Sequence, residues 1–374
     1  MIKVCFVVIG LSVLASCKNN VTDADGHATR AHEGLGVNAS LKFNQIQFIG
    51  SHNSYKKAID SDLLRQIDDE SVSASLDYGH PTLEDQLDLG LRKLELDIFL
   101  DPDGGRYADP AGLRLTANPT PFDRQPMLLP GMKVMHVQDL DFRSQCPRFV
   151  NCLNRLVDWS DSHPRHFPIV VTINAKDQFI DRPGFVHPLM FDRLAWNRMD
   201  SLIRTTLGDK LFTPDEFRAG KVTLTEAISA GWPELEKLRG RFIFVLDHEG
   251  EKLASYVEGH EALRGRAMFA NAREGTPEAA IRIVNDPIRQ FDYIQSLVRA
   301  GYIVRTRADA DTVEAREGRT ERRQHAFSSG AQIISTDYYQ KDKRFGHGYQ
   351  VVLPDGAVAL CNPVVVTGKC KLSD

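Results

Sequence analysis

Residues 46–53, IQFIGSHN, set the reading of the whole chain. A short apolar run, Ile46–Gly50, breaks into a polar turn that carries His52 and Asn53. The run is too short for a helix and lacks the alternation of a strand with one wet face. It therefore reads as a parallel strand covered on both sides. The arrangement recurs downstream, where Leu94–Ile98 (LELDI) carries Glu95 and Asp97, and Val134–Val137 (VMHV) carries His136. The intervals of about forty residues match one strand-helix unit with insertions.

Five further runs of the same kind follow: Ile169–Ile173, Phe242–Leu246, Ala267–Ala270, Tyr302–Arg305 and Gln332–Ser335. Helical patterns separate most of them. Thr82 is placed to cap a helix through Leu83–Leu87 that stops at Gly90. Phe191, Leu194, Ala195, Leu202 and Ile203 fall near helical spacing before Gly208, and Ile288–Ala300 reads as a helix closed by Gly301. Eight strands alternating with helices predict an α/β fold, a (β/α)8 barrel of irregular form. Polar residues cluster just after the strands: His52, Asn53, Glu95, Asp97, His136, Asn174, Lys176, Asp177, Asp247, Asn271, Arg305, Arg307 and Asp337. Barrel active sites are built at that face, so the ring is a site hypothesis. The other histidines, among them His80, His166 and His248, read as ordinary surface residues, and Trp159, Trp196 and Trp232 as helix-to-barrel packing.

The chain has 374 residues, 42% of them hydrophobic, enough for a large core. A net charge of −4 without a dominant basic cluster points away from nucleic-acid binding. Lys3 precedes an apolar segment, Val4–Val13, that is too short to span a bilayer. It runs into Leu14-Ala15-Ser16-Cys17, which resembles a bacterial lipobox. That resemblance implies a signal peptide over 1–16, an acylated Cys17 and an exported, membrane-anchored lipoprotein, periplasmic or on the cell surface. Residues 17–42 read as a flexible tether, 43–345 as the catalytic barrel, and 346–374 as a small β-rich appendage with strands at Val351–Leu353 and Val364–Val366. Cys146 and Cys152 form one close pair and Cys361 and Cys370 another. In an exported chain this reads as two local disulfides rather than a zinc site, since no CxxC pair is present.

Two histidines near neutrality in pKa can serve as base and acid in phosphodiester cleavage. Glu95 and Asp97, two apart on one strand, point to one side and can share a hard cation, to which Asn53 adds a neutral oxygen. Lys176 and Arg305 are candidate phosphate ligands. The stretches IGSHNSY (49–55), TLEDQLDLGLRKLELDIF (82–99), VMHVQDLD (134–141), GYIVRTRADADTVEAR (301–316) and GAQIISTDYY (330–339) resemble the bacterial secreted calcium-dependent phosphoinositide phospholipase C family. The similarity runs roughly from Phe43 to Tyr339.

The resemblance implies a distorted TIM-like barrel that cleaves phosphatidylinositol-like lipids to diacylglycerol and a cyclic inositol phosphate. It makes His52 the general base, His136 the general acid, and Asn53, Glu95 and Asp97 ligands of Ca2+. Asn174 stands where animal relatives carry a further acidic ligand, which implies weaker calcium binding unless Asp177 or Asp247 compensates. Competing readings are a glycerophosphodiesterase or sphingomyelinase D-like enzyme, and a surface lipoprotein that binds phosphorylated ligands without turnover. Ser51-His52-Asn53-Ser54 differs from the His-Arg-Gly opening of glycerophosphodiesterases.

Overall fold

Every residue of Ile46–Ser51 (β1) and of Lys93–Phe99 (β2) is buried, charged ones included, which places both strands inside a closed or nearly closed sheet. The computed structural model describes residues 41–374 apart from positions 68 and 369, so the expected signal segment, Cys17 and nearly all of the tether lie outside the described residues. The remaining strands are β3 (Lys133–Val134), β4 (Ile169–Ala175), β5 (Phe242–Leu246), β6 (Phe269–Ala270), β7 (Ile281–Ile283), β8 (Ile303–Arg307), β9 (Ile333–Thr336), β10 (Ala359–Cys361) and β11 (Lys371–Leu372). Eight of them run in the order β6-β5-β4-β2-β1-β9-β8-β7. A single parallel bridge, Asn271 to Ile281, draws the two ends together. The result is a nearly closed parallel barrel of the TIM type, walled by helices such as Leu83–Asp88, Phe149–Ser162, Arg193–Leu207 and Phe291–Arg299.

Local signals position these helices as the sequence predicts. The Thr82 hydroxyl accepts from the Asp85 amide while the Asp85 carboxylate reaches back to Thr82. Gly208 takes a positive φ of 51° at the end of Arg193–Leu207. Trp159, Trp196 and Trp232 are all buried in the main core.

The strand count agrees with expectation, but its membership does not. Lys133–Val134 lies antiparallel on the end of β2, with Val134 opposite Ile98, and takes no place in the barrel. β2 pairs directly with β4 from Lys93↔Val170 to Ile98↔Ala175, leaving no gap for a strand between them. Only short helices, Gly112–Leu115 and Gln125–Leu128, separate β2 from β3, and a parallel neighbour needs a full crossover. The eighth strand is instead Ile281–Ile283, three residues with an arginine at the centre.

The C-terminal strands also differ from expectation. Val351–Leu353 and Val364–Val366 are not strands. β10 pairs antiparallel with the start of β1, Ile46 opposite Cys361, and β11 pairs with β10. Val351 and Leu353 join the barrel's own hydrophobic core. Both disulfides are present, with Cα separations of 5.4 Å for Cys146–Cys152 and 5.1 Å for Cys361–Cys370.

Candidate active site

The turn after β1 is buckled onto β2. The Ser54 amide donates to the Glu95 carbonyl (3.0 Å), and the Ser54 hydroxyl accepts from the Glu95 amide (2.8 Å). Gln86 donates to the Ser54 carbonyl (2.7 Å). Asn53 sits at φ 45°, a left-handed conformation that asparagine tolerates better than most residues. Its amide nitrogen donates to the Tyr78 hydroxyl (2.8 Å), and its amide oxygen takes no hydrogen bond among the described residues.

His52 is oriented by a partner far along the chain. Its Nδ1 lies 3.1 Å from Asp337 Oδ1, and its Nε2 3.5 Å from Glu95 Oε1. With Nδ1–H donating to Asp337, the lone pair resides on Nε2. Burial, and then the charge of Arg307, lowers the His52 pKa against the raising effect of Asp337 and Glu95. Although burial opposes it, His52 and Arg307 hold the Asp337 carboxyl well below the usual carboxylate range. His80 supports the same corner, donating to the His52 carbonyl (2.8 Å) and accepting from the Tyr339 hydroxyl (3.0 Å).

Glu95 is surrounded by cations. Its Oε2 takes the Lys93 ammonium (2.6 Å) and the Arg305 guanidinium (2.9 Å), leaving Oε1 toward His52. Against the cost of burial, Lys93, His52 and Arg305 hold its pKa below the ordinary value. Asp97 is the opposite case. It is 1% exposed, and neither carboxylate oxygen has a hydrogen-bond partner among the described residues. The Lys176 ammonium stands 3.2 Å from Asp97 Oδ2, close enough for an ion pair but not aligned for a hydrogen bond.

Asn174 is the direct register partner of Asp97 across β2 and β4. Asp247 follows the Ile173↔Leu246 pair on β5, so Asp97, Asn174 and Asp247 form a row over three strands. Burial pushes the Asp247 carboxyl up to about 6, partly offset by Arg305. Asp177 is engaged by Lys252 (2.7 Å). A cavity of about 380 Å³ opens over this row, lined among others by His52, Glu95, Asn174, Lys176, Asp247 and Arg307. His136 lies in the loop beyond β3, outside that lining. Its Nδ1 donates to Asp141 (2.8 Å), which also meets the wholly buried Lys56 ammonium (3.1 Å).

The sequence profile described as "Phosphoinositide phospholipase C, Ca2+-dependent" matches residues 41–363. The chain belongs to this family. Ca2+ is the cofactor of the family, and its enzymes are phosphoric diester hydrolases. Solved structures agree in fold. The calcium-dependent phosphoinositol-specific phospholipase C from a Gram-negative bacterium, Pseudomonas sp., in an apo form with myoinositol, is 19% identical, with a TM-score of 0.52 over 87% of this chain and 96% of that one. The Ca2+-dependent phosphatidylinositol-specific phospholipase C from Streptomyces antibioticus is 20% identical, with a TM-score of 0.50 over 80% and 95%. No curated protein matches the sequence.

The residues present fit the calcium of this phospholipase C family. A buried carboxylate without hydrogen bonds (Asp97), the outer oxygen of a second (Glu95) and two amide side chains (Asn53, Asn174) form the hard oxygen set calcium takes. Among the described residues no three His, Cys, Asp or Glu side chains converge as a metal site, and protein cations stand on both carboxylates. Arg305 and Lys176, expected to face phosphate, face Glu95 and Asp97. Three histidines read as surface residues prove otherwise. His80 is buried behind His52, His166 is buried in the helix wall, and His248 lines the cavity, where its Nε2 accepts from the Ala175 amide (2.8 Å). Nothing in their local sequence marks them. Asp337 was marked only by its place after a strand, and its pairing with a residue 285 positions away has no local signature.

Proposed function

We propose that this protein is a calcium-dependent phospholipase C that cleaves phosphatidylinositol-like lipids to diacylglycerol and a cyclic inositol phosphate. The observation that carries the reading is the family match over residues 41–363, with His52 Nε2 standing 3.5 Å from the buried Glu95 carboxylate.

In this reading His52 Nε2 takes the proton of the inositol hydroxyl adjacent to the phosphate, while Asp337 holds the ring and stabilises its protonated form. The freed oxygen attacks phosphorus, and the bond to the diacylglycerol oxygen breaks. His136, oriented by Asp141, delivers a proton to that leaving oxygen. Attack from within the substrate gains from proximity. Calcium held by Asn53, Glu95, Asp97 and Asn174 would favour ionisation of the hydroxyl and neutralise the growing phosphoryl charge. Lys176 and Arg307 offer further positive charge at the cavity wall.

The test supplies phosphatidylinositol with calcium or with a chelator and measures water-soluble inositol phosphate. Release with calcium and none with chelator is expected. Cleavage of glycerophosphocholine or sphingomyelin instead would overturn the substrate assignment. We further propose that the protein is exported and anchored through lipids on Cys17, on the strength of Leu14-Ala15-Ser16-Cys17. Mass spectrometry of the membrane-extracted N-terminal peptide should show diacylglyceryl and acyl additions, and Cys17→Ser should release the enzyme to the soluble fraction.

A further inference from the structure

Three protein cations stand on the two carboxylates of the calcium site, and they are not equivalent. The Lys93 ammonium is wholly buried and donates to the Ser51 carbonyl (2.8 Å), Glu95 (2.6 Å) and Ser335 (3.3 Å). Arg305 is 2% exposed and divides its donors among Glu95, Asn285 and Ser335. Lys93 belongs to the barrel interior, and Arg305, although it borders the cavity, is held in place by these three partners. Lys176 differs from both. Its side chain is 22% exposed, lines the cavity, and makes no hydrogen bond to the carboxylate it faces. Its backbone is fixed, because its amide donates to the Ile98 carbonyl (2.8 Å) at the first position after β4. Four methylenes then allow the ammonium to swing between Asp97 and the open cavity.

We propose that Lys176 is an exchangeable counter-ion: it neutralises Asp97 in the metal-free enzyme, is expelled when calcium binds, and then presents its ammonium to the substrate phosphate. The inference rests on the calcium site described above. A divalent ion within bonding distance of Asp97 and an ammonium 3.2 Å from the same carboxylate compete for one charge and repel each other. Without the lysine, the metal-free state would hold the buried Asp97 beside the Tyr55 hydroxyl with no cation against it among the described residues, which is costly. Cation loading would thereby free the phosphate ligand, so inositol phosphate and calcium should each tighten the other's binding.

The test is calcium titration by calorimetry on metal-free protein without substrate, so its result is independent of which lipid is cleaved. Lys176→Met should bind calcium about tenfold or more tightly than wild type. It should also melt at lower temperature when metal-free and regain stability with calcium. Lys252→Met, which removes an equal charge from the same cavity wall but from Asp177, should change the affinity far less. Unchanged or weaker binding by Lys176→Met, or equal tightening by both variants, overturns the proposal. An independent readout uses the unaltered protein: calcium should raise the rate at which a lysine-acylating reagent labels Lys176, read by mass spectrometry. An equal rate with and without calcium overturns it as well.

Discussion

Each catalytic histidine in the proposed mechanism is held through Nδ1 by a buried aspartate, His52 by Asp337 and His136 by Asp141, and the two aspartates are balanced differently. Asp337 meets Arg307 (3.3 Å) and approaches His80 (3.7 Å), whereas among the described residues Asp141 meets Lys56 as its one further charge. Lys56 also donates to the Tyr78 carbonyl (2.7 Å), and the Tyr78 hydroxyl reaches both Asn53 and His52. Asp141→Asn keeps shape but removes the charge that fixes the His136 tautomer. Turnover should fall roughly 10²-fold while calcium affinity, measured by calorimetry, stays near wild type. His136→Ala should cost at least as much. Asp97→Asn is expected to act on the metal instead, shifting the calcium concentration for half-maximal activity upward. If saturating calcium restores no activity to Asp97→Asn, its ligand role is wrong.

At the level of elements, the contact between β1 and β2 decides whether the two halves of the site meet. A Cβ placed on Gly50 would fall 2.3 Å from the Lys93 Cβ and 2.4 Å from its carbonyl oxygen. Glycine is required there by close approach of backbones, not by a special φ. Gly50→Ala should push the strands apart, cost about 1–3 kcal/mol in urea unfolding, and lower activity by separating His52 and Asn53 from Glu95 and Asp97. The opposite end of β1 carries β10, which the Cys361–Cys370 disulfide ties to the strand behind it. The doubly substituted Cys361→Ala/Cys370→Ala protein should lose about 2–3 kcal/mol of stability. Its turnover at 25 °C should stay close to wild type, because that seam lies far from the strand ends that bear the site.

For the molecule as a whole, buried titratable groups make stability depend on pH in two opposed ways. His166 accepts from Ser160 and donates to the Phe167 carbonyl, and burial lowers its pKa to about 4. Its folded pKa lies below the unfolded value near 6.5, so the unfolded chain binds more protons between those values and stability falls as pH drops through that window. Asp309, pushed up to about 7 by burial and by the charge of Asp337, has the opposite sign and flattens the net profile. The difference between wild type and His166→Gln isolates the histidine. The advantage of the wild type should shrink by up to about 3 kcal/mol from pH 7 to pH 4 in parallel denaturant titrations. The amino-acid sequence by itself determined the barrel class, the disulfide partners, the place of His52 and Asn53 just past β1, and the shared face of Glu95 and Asp97, which lie within β2 and not at its end. Apolar run length, two-residue alternation and cysteine spacing are local properties that need no knowledge of distant neighbours. Tertiary structure alone decided that Ile281–Ile283 and not Val134–Val137 completes the barrel, that His80, His166 and His248 are inward, that Asp337 orients His52, and that Lys176 rests on Asp97. Those outcomes depend on which strand lies beside which and on where burial leaves a charge without water, and only the closed sheet fixes either.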